Sequence, residues 1–300
     1  MPEKSGATPR RIKPGDRVFR VPRPIQWQVI LPTIARPRMG GGISPLVIAY
    51  GFAALILIGA ALLMLPIATT DGSVPHPTTA LFTSTSAVAV TGLAVVDTSD
   101  FWSPFGEAVI LFLIQIGGFG FMTSATLILL ALGRKIGLRE RLLIKEAMGV
   151  TQLGGVVRII RQMALFTLIL EILGAALIYL HLSTLYPEGQ ALWKSVFQSV
   201  SAFNNAGLDL FGGFRSLYNF QTDPLVVLTT AGLIILGGIS YMVVVDVLKH
   251  RSFTRLSMDS KLVITVTGFL LLIGTAVILL SEFGNADTFG LLTVPQKVLN

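Results

Sequence analysis

The sequence predicts an all-α polytopic membrane protein built from tandem repeats, each a span, a re-entrant hairpin and a second span. Two repeats are complete and a third is begun. Three observations predict this: five long apolar runs, an alternation of charge between the segments joining them, and an internal repeat centred on two glycines. Hydrophobic residues make up 52% of the 300 and charged residues only 13%, against about 25% charged in an ordinary soluble domain.

The runs are 44–68, 104–133, 163–183, 224–249 and 262–283. At about 1.5 Å per helical residue each is long enough for roughly 30 Å of hydrocarbon. Run 44–68 is too long for a cleaved signal. Before it, residues 1–43 carry nine Lys/Arg and seven prolines, which suits a basic cytoplasmic arm, with a mitochondrial transit segment as the alternative. The absence of cysteine excludes disulfides and thiolate sites.

Net charge is +7, but it is distributed as orientation and does not call for a nucleic acid partner. Lys and Arg number nine in 1–43, seven in 134–162 and four in 249–261, leaving Lys194, Arg215 and Lys297 elsewhere. Basic segments flank spans on the cytoplasmic side, so the N-terminus is expected in the cytoplasm of a cell (inner) membrane protein. The basic stretch Arg134 to Arg161 reads as a linker on anionic lipid or a dock for a cytosolic partner.

The acid-leaning segments 69–103 and 184–223 must each begin and end outside. Both have apolar middles, as if they dip into the membrane and return. Ser86-Ala87-Val88-Ala89-Val90-Thr91-Gly92-Leu93 aligns without gaps on Ser201-Ala202-Phe203-Asn204-Asn205-Ala206-Gly207-Leu208, an offset of 115. Downstream, Pro104 and Gly117-Gly118 match Pro224 and Gly237-Gly238 at an offset of 120, with thirteen residues from proline to glycine in both copies. The expected units are therefore 1–43, 44–133, 134–162, 163–249, 250–261 and 262–300.

Each hairpin should descend as a short helix and climb back as extended chain. Carbonyls of the climbing strand lack partners at depth and can take a dehydrated cation. Turning successive carbonyls toward one axis demands φ values that glycine reaches without a Cβ penalty. The other motifs carry less. Gly117-Gly118-Phe119-Gly120 lies inside an apolar helix and reads as close packing in preference to a bend or a phosphate loop. Glu171, mid-span among leucines and isoleucines, needs a partner that the sequence does not reveal. Asp246 is expected to pair with nearby Lys249 or Arg251. His76, His181 and His250 stand without a second ligand at metal spacing, and no nucleophile–base set suggests an enzyme.

"TSAVAVTGLAVVDT" and "SVSAFNNAGLDLFGGF" resemble the first and second pore segments of the Ktr/Trk/HKT superfamily of potassium transporters, and the resemblance runs from about residue 44 to 300. It implies four span–pore-loop–span repeats around a pseudo-fourfold pore. The filter carbonyls would be those of Val90, Thr91, Gly92, Asn205, Ala206 and Gly207, with K⁺ as the transported ion and Na⁺ as a candidate coupled ion. The lack of extra spans before Ser44 is similar to the Ktr membrane subunit, which implies a homodimer on a cytosolic nucleotide-binding regulatory ring. Two strands cannot close a four-strand filter, so the natural chain is expected to continue past Asn300 with a third filter glycine about ten residues on, unless two chains share a pore. A secondary transporter binding a small solute at broken helices is the alternative function.

Overall fold

A computed structural model describes residues 46–120, 123–124, 127, 155–285, 288 and 293–299. The basic arm, most of the 134–162 linker and the far end of run 104–133 lie outside the described residues. Those described belong to one compact unit, 43–300.

Apart from an isolated bridge between Thr69 and Trp102, their regular secondary structure is helical. The first half holds α1 (Leu46–Leu63), α2 (Pro77–Val88), α3 (Thr98–Phe101) and α4 (Pro104–Phe119). The second holds α5 (Val156–Leu182), α6 (Glu188–Phe203), α7 (Pro224–Gly238) and α8 (Tyr241–His250), followed by α9 (Met258–Glu282) and α10 (Val294–Leu299). Helices α5 and α9 are each long and apolar enough to cross a membrane, and α7 with α8 forms a candidate third crossing that is bent.

Helix starts follow local chemistry. Proline opens α2, α4 and α7, where its missing N–H costs nothing and its fixed φ suits the first turn. Side-chain acceptors cap the same ends: Ser103 takes the Gly106 N–H, and Asp223 takes those of Leu225 and Val226. Such a cap contributes about 1 kcal/mol.

Two expected spans are corrected. Run 224–249 is not one helix: α7 and α8 meet at 96° across Ile239 and Ser240, with Ile239 extended. The preceding Gly237-Gly238 pair and Ser240 provide the weak point that sharp kinks need. In run 104–133, α4 stops at Phe119, where Gly120 turns with φ +76°. Helix α5 begins at Val156, ahead of the apolar run 163–183.

The repeat seen in sequence recurs as contacts. The Ser84 hydroxyl donates to the Ile56 carbonyl at 2.7 Å, and Ser199 donates to the Glu171 carbonyl at 2.7 Å. A Cβ on Gly59 would lie 2.4 Å from Ser84 Oγ and 2.6 Å from Leu113. One on Gly174 would lie 2.6 Å from Ser199 Oγ and from Leu233. Each pair of positions differs by 115, or by 120 for the leucines. Small residues thus let α1 and α5 approach the short helices α2 and α6 closely enough for a hydroxyl to bridge them.

Two apolar cores follow this plan. One gathers Leu63, Val88, Trp102, Ile110 and Ile114 with Phe197 and Leu208 of the second half. The other is built from Ile178, Leu182, Phe203, Val226 and Leu233. By contrast α9 exposes Phe269, Leu270, Leu272 and Leu280, a face suited to lipid or to further helices.

Candidate functional site

Both short helices end in the same way. After α2, the N–H groups of Val90 and Thr91 reach back to the carbonyls of Ala87 and Ser86. After α6, those of Asn205 and Ala206 reach to Ala202 and Ser201. Val90 and Asn205 then take φ of +54° and +58°, and Gly92 and Gly207 take +75° and +73°, whereas Thr91 and Ala206 between them stay at negative φ. A regular strand sends consecutive carbonyls to opposite sides, and an alternation of left- and right-handed φ departs from that pattern. A left-handed φ is strained for β-branched Val90, so the surrounding bonds must hold it.

Side chains supply that hold. Thr91 donates to the Ser86 carbonyl and lies 3.1 Å from its hydroxyl. Ser201 donates to the Leu208 carbonyl at 2.5 Å. The structure brings the six sequence-predicted residues into two facing segments. A Cβ on Gly92 would sit 2.7 Å from the Ala206 carbonyl oxygen and 3.1 Å from Gly207 Cα, and one on Gly207 would sit 3.2 Å from Gly92 Cα. Only backbone can occupy that approach.

Among the described residues, three cavities border the strands. One of about 210 Å³ lies against Gly92, Asp97, Gly207 and Asp209. Asp97 spans the two halves by accepting from the Phe214 N–H at 2.7 Å. Burial works against its charge, but this donor and the N–H and hydroxyl of Ser99 hold the carboxyl below the ordinary range. Asp209 behaves oppositely: burial raises its carboxyl, the Phe211 N–H opposes this, and nearby Asp97 adds to the rise. A second cavity, of about 190 Å³, lies behind the second strand beside Gln198, Ser201, Asn205 and Thr230. The third, of about 170 Å³, lies under Phe203 and Asn204 and reaches the α7–α8 break at Ile239 and Ser240.

Sequence reasoning missed several contacts. Glu171 does have partners, Gln115 and Asn204. Trp193 donates to buried Glu107 at 2.6 Å across the halves. Asp246 pairs with His250 and accepts the Ser257 N–H, in place of the expected Lys249 or Arg251. His181 pairs with Asp223. The available signal for Glu171 was its departure from the repeat, since the matching position is Ile56. Among the described residues no three His, Asp or Glu gather as a metal cluster.

The model of the TrkH family, described as a cation transport protein, matches residues 46–284. The chain is 43% identical over 257 residues to the Ktr system potassium uptake protein B of Bacillus subtilis, covering 85% of this chain and 56% of that protein. It is 37% identical over 265 residues to the protein of the same name from Vibrio alginolyticus, covering 88% and 57%. Potassium/sodium uptake protein NtpJ of Enterococcus hirae matches at 35% over 251 residues, covering 83% and 55%. The chain thus spans about half the length of the curated relatives it matches. With its membrane-length helices, the match makes this a membrane protein of a transporter family and not an enzyme: the chain belongs to the TrkH cation transport family.

Proposed function

We propose that this chain takes part in potassium uptake across the cell membrane, through a channel-like pore whose selectivity comes from backbone carbonyls of Val90, Thr91, Gly92, Asn205, Ala206 and Gly207. The observation that carries this reading is the repeated φ pattern of the two strands, with their glycines in close approach. A potassium ion stripped of water needs several oxygens, and fixed carbonyls replace its hydration shell. Two tandem span–pore-loop–span repeats supply half of a pseudo-fourfold ring; the other half would come from further chain or a second copy. Na⁺ is a candidate co-ion, because one relative is named a potassium/sodium uptake protein. A homodimer on a cytosolic nucleotide-binding ring is the assembly implied by resemblance to the Ktr membrane subunit. The complete protein in proteoliposomes should carry Rb⁺ flux that K⁺ competes for and organic solutes do not. Competition by an amino acid or sugar would favour the broken-helix transporter, which the 96° break between α7 and α8 could otherwise serve.

Two further results are expected. On the cysteine-free background, single cysteines at Thr79 and Ser216 label from outside and one at Ser257 labels from the cytoplasm. Labelling at Ser257 by an impermeant reagent added outside would reverse the topology. Second, Asp209→Asn raises the K⁺ concentration for half-maximal uptake about two- to threefold at low ionic strength, an effect that fades as salt screens the mouth. Because the Asp209 carboxyl is raised, uptake by the parent protein falls as external pH drops into its titration range, and the asparagine variant flattens that fall. A half-maximal concentration and pH profile identical to the parent's would remove Asp209 from the mouth.

A further inference from the structure

Glu171 lies in the middle of α5, 5% exposed. Its Oε1 accepts from Asn204 Nδ2 at 3.0 Å and its Oε2 from Gln115 Nε2 at 3.3 Å. Asn204 Nδ2 also reaches Gln115 Oε1 at 3.2 Å and the Val200 carbonyl at 2.9 Å. The three side chains come from α5, from α4 of the first half, and from the residue that ends α6. Gly118 makes room for them: a Cβ there would fall 1.8 Å from Asn204 Oδ1.

The repeat does not require this cluster. Glu171 and Asn204 correspond to Ile56 and Ala89 at the 115 offset, and Gln115 corresponds to Ile235 at the 120 offset. The first half makes the same serine–carbonyl bridge on Ile56 without any buried carboxylate. Placing one in a span is costly unless it is bonded on both oxygens. Here both oxygens are engaged by neutral amides, and the ion pairs among the described residues lie elsewhere, at His181–Asp223 and His250–Asp246. Asn204 stands immediately before Asn205, the first left-handed residue of the second strand.

We propose that Glu171 is a positioning residue for cation selectivity: through Asn204 and Gln115 it ties the start of the second filter strand to the first half's α4 and so fixes the spacing of the two strands. The proposal rests on the filter reading above. Its test is K⁺/Na⁺ preference, measured as competition for Rb⁺ uptake by the complete protein at matched membrane abundance. Glu171→Ile and Asn204→Ala, which install the first half's residues, each lose about tenfold in preference, more than they lose in maximal rate, and the double variant loses no more than the larger single one because both break one unit. Glu171→Gln stays within about twofold of the parent, since its oxygen still accepts from Asn204 and its amide donates to a turned Gln115.

Unchanged preference in Glu171→Ile and Asn204→Ala overturns the proposal, as does a loss of rate alone. An equal loss in Glu171→Gln also overturns it, because charge and not bonding would then be responsible. If Glu171→Ile fails to reach the membrane, Asn204→Ala decides. Gly92→Ser and Gly207→Ser run alongside. If they shift preference and the cluster variants do not, the filter stands and the positioning role falls; if none shifts it, both fall.

Discussion

Gly92→Ser in the complete protein is expected to lower K⁺ preference over Na⁺ by about tenfold or more, and Gly207→Ser by less. Each tenfold corresponds to about 1.4 kcal/mol, a small part of an ion's ligation energy, so partial loss with continued transport is the expected form. The ranking comes from geometry. Both glycines hold left-handed φ, +75° and +73°, where any Cβ is strained. The Cβ at position 92 also meets the Ala206 carbonyl oxygen at 2.7 Å, whereas at position 207 the nearest atom is Gly92 Cα at 3.2 Å. The first substitution therefore pushes directly on one of the proposed ligands and must move the second strand; the second needs only a few tenths of an ångström. Rb⁺ uptake competed by K⁺ and by Na⁺ measures the ratio. Equal, parental preference in both variants at normal abundance would remove these two glycines from the filter.

How much of this was legible in the sequence varies with the kind of interaction. The short helix followed by non-helical chain could be read from Ser86 to Leu93 because Gly92 and Gly207 recur in one register, and repetition carries information that a single Thr-Gly does not. Helix starts at Pro104 and Pro224 were legible for the same reason. Hydropathy, however, reports apolar character and not backbone continuity. It ran 224–249 together, although α7 ends at Gly238 and the chain bends by 96° before α8. The break follows Gly237, which seats against the backbone of Phe203, and that is a tertiary fact. Glu171 was visible as an anomaly, but its partners Gln115 and Asn204 lie 56 and 33 residues away, and pairing over such distances leaves no local pattern. Asp246 shows the opposite error. Proximity in sequence suggested Lys249 or Arg251, whereas His250, one helical turn on, shares its face.

Gly237→Ala is expected to destabilise the protein by about 3 kcal/mol or more, the upper range for forcing added atoms into a packed site, and to deplete it from the membrane. On α7 this glycine lies against the end of α6: a Cβ would stand 1.7 Å from the Phe203 carbonyl oxygen and 2.7 Å from its carbon. The obstacle is backbone at the foot of the second strand, which cannot swing aside as a side-chain end could. Gly117 repeats the arrangement on α4, with its Cβ 2.3 Å from the Val88 oxygen, so Gly117→Ala should show a similar loss. The glycines thus pack, as their place in an apolar helix suggested, and the bends at Gly120 and Ile239–Ser240 follow just beyond them. Gly232→Ala on α7 supplies the contrast. Nothing lies within 4 Å of its Cβ position, so the change should cost nothing in packing and should stabilise by up to about 1 kcal/mol through helix propensity. Thermal unfolding of the detergent-solubilised complete protein measures all three. Were Gly237→Ala to melt with Gly232→Ala and the parent, the close seating of α7 under the second strand would be wrong. The strand spacing that the filter reading requires would then lose its support.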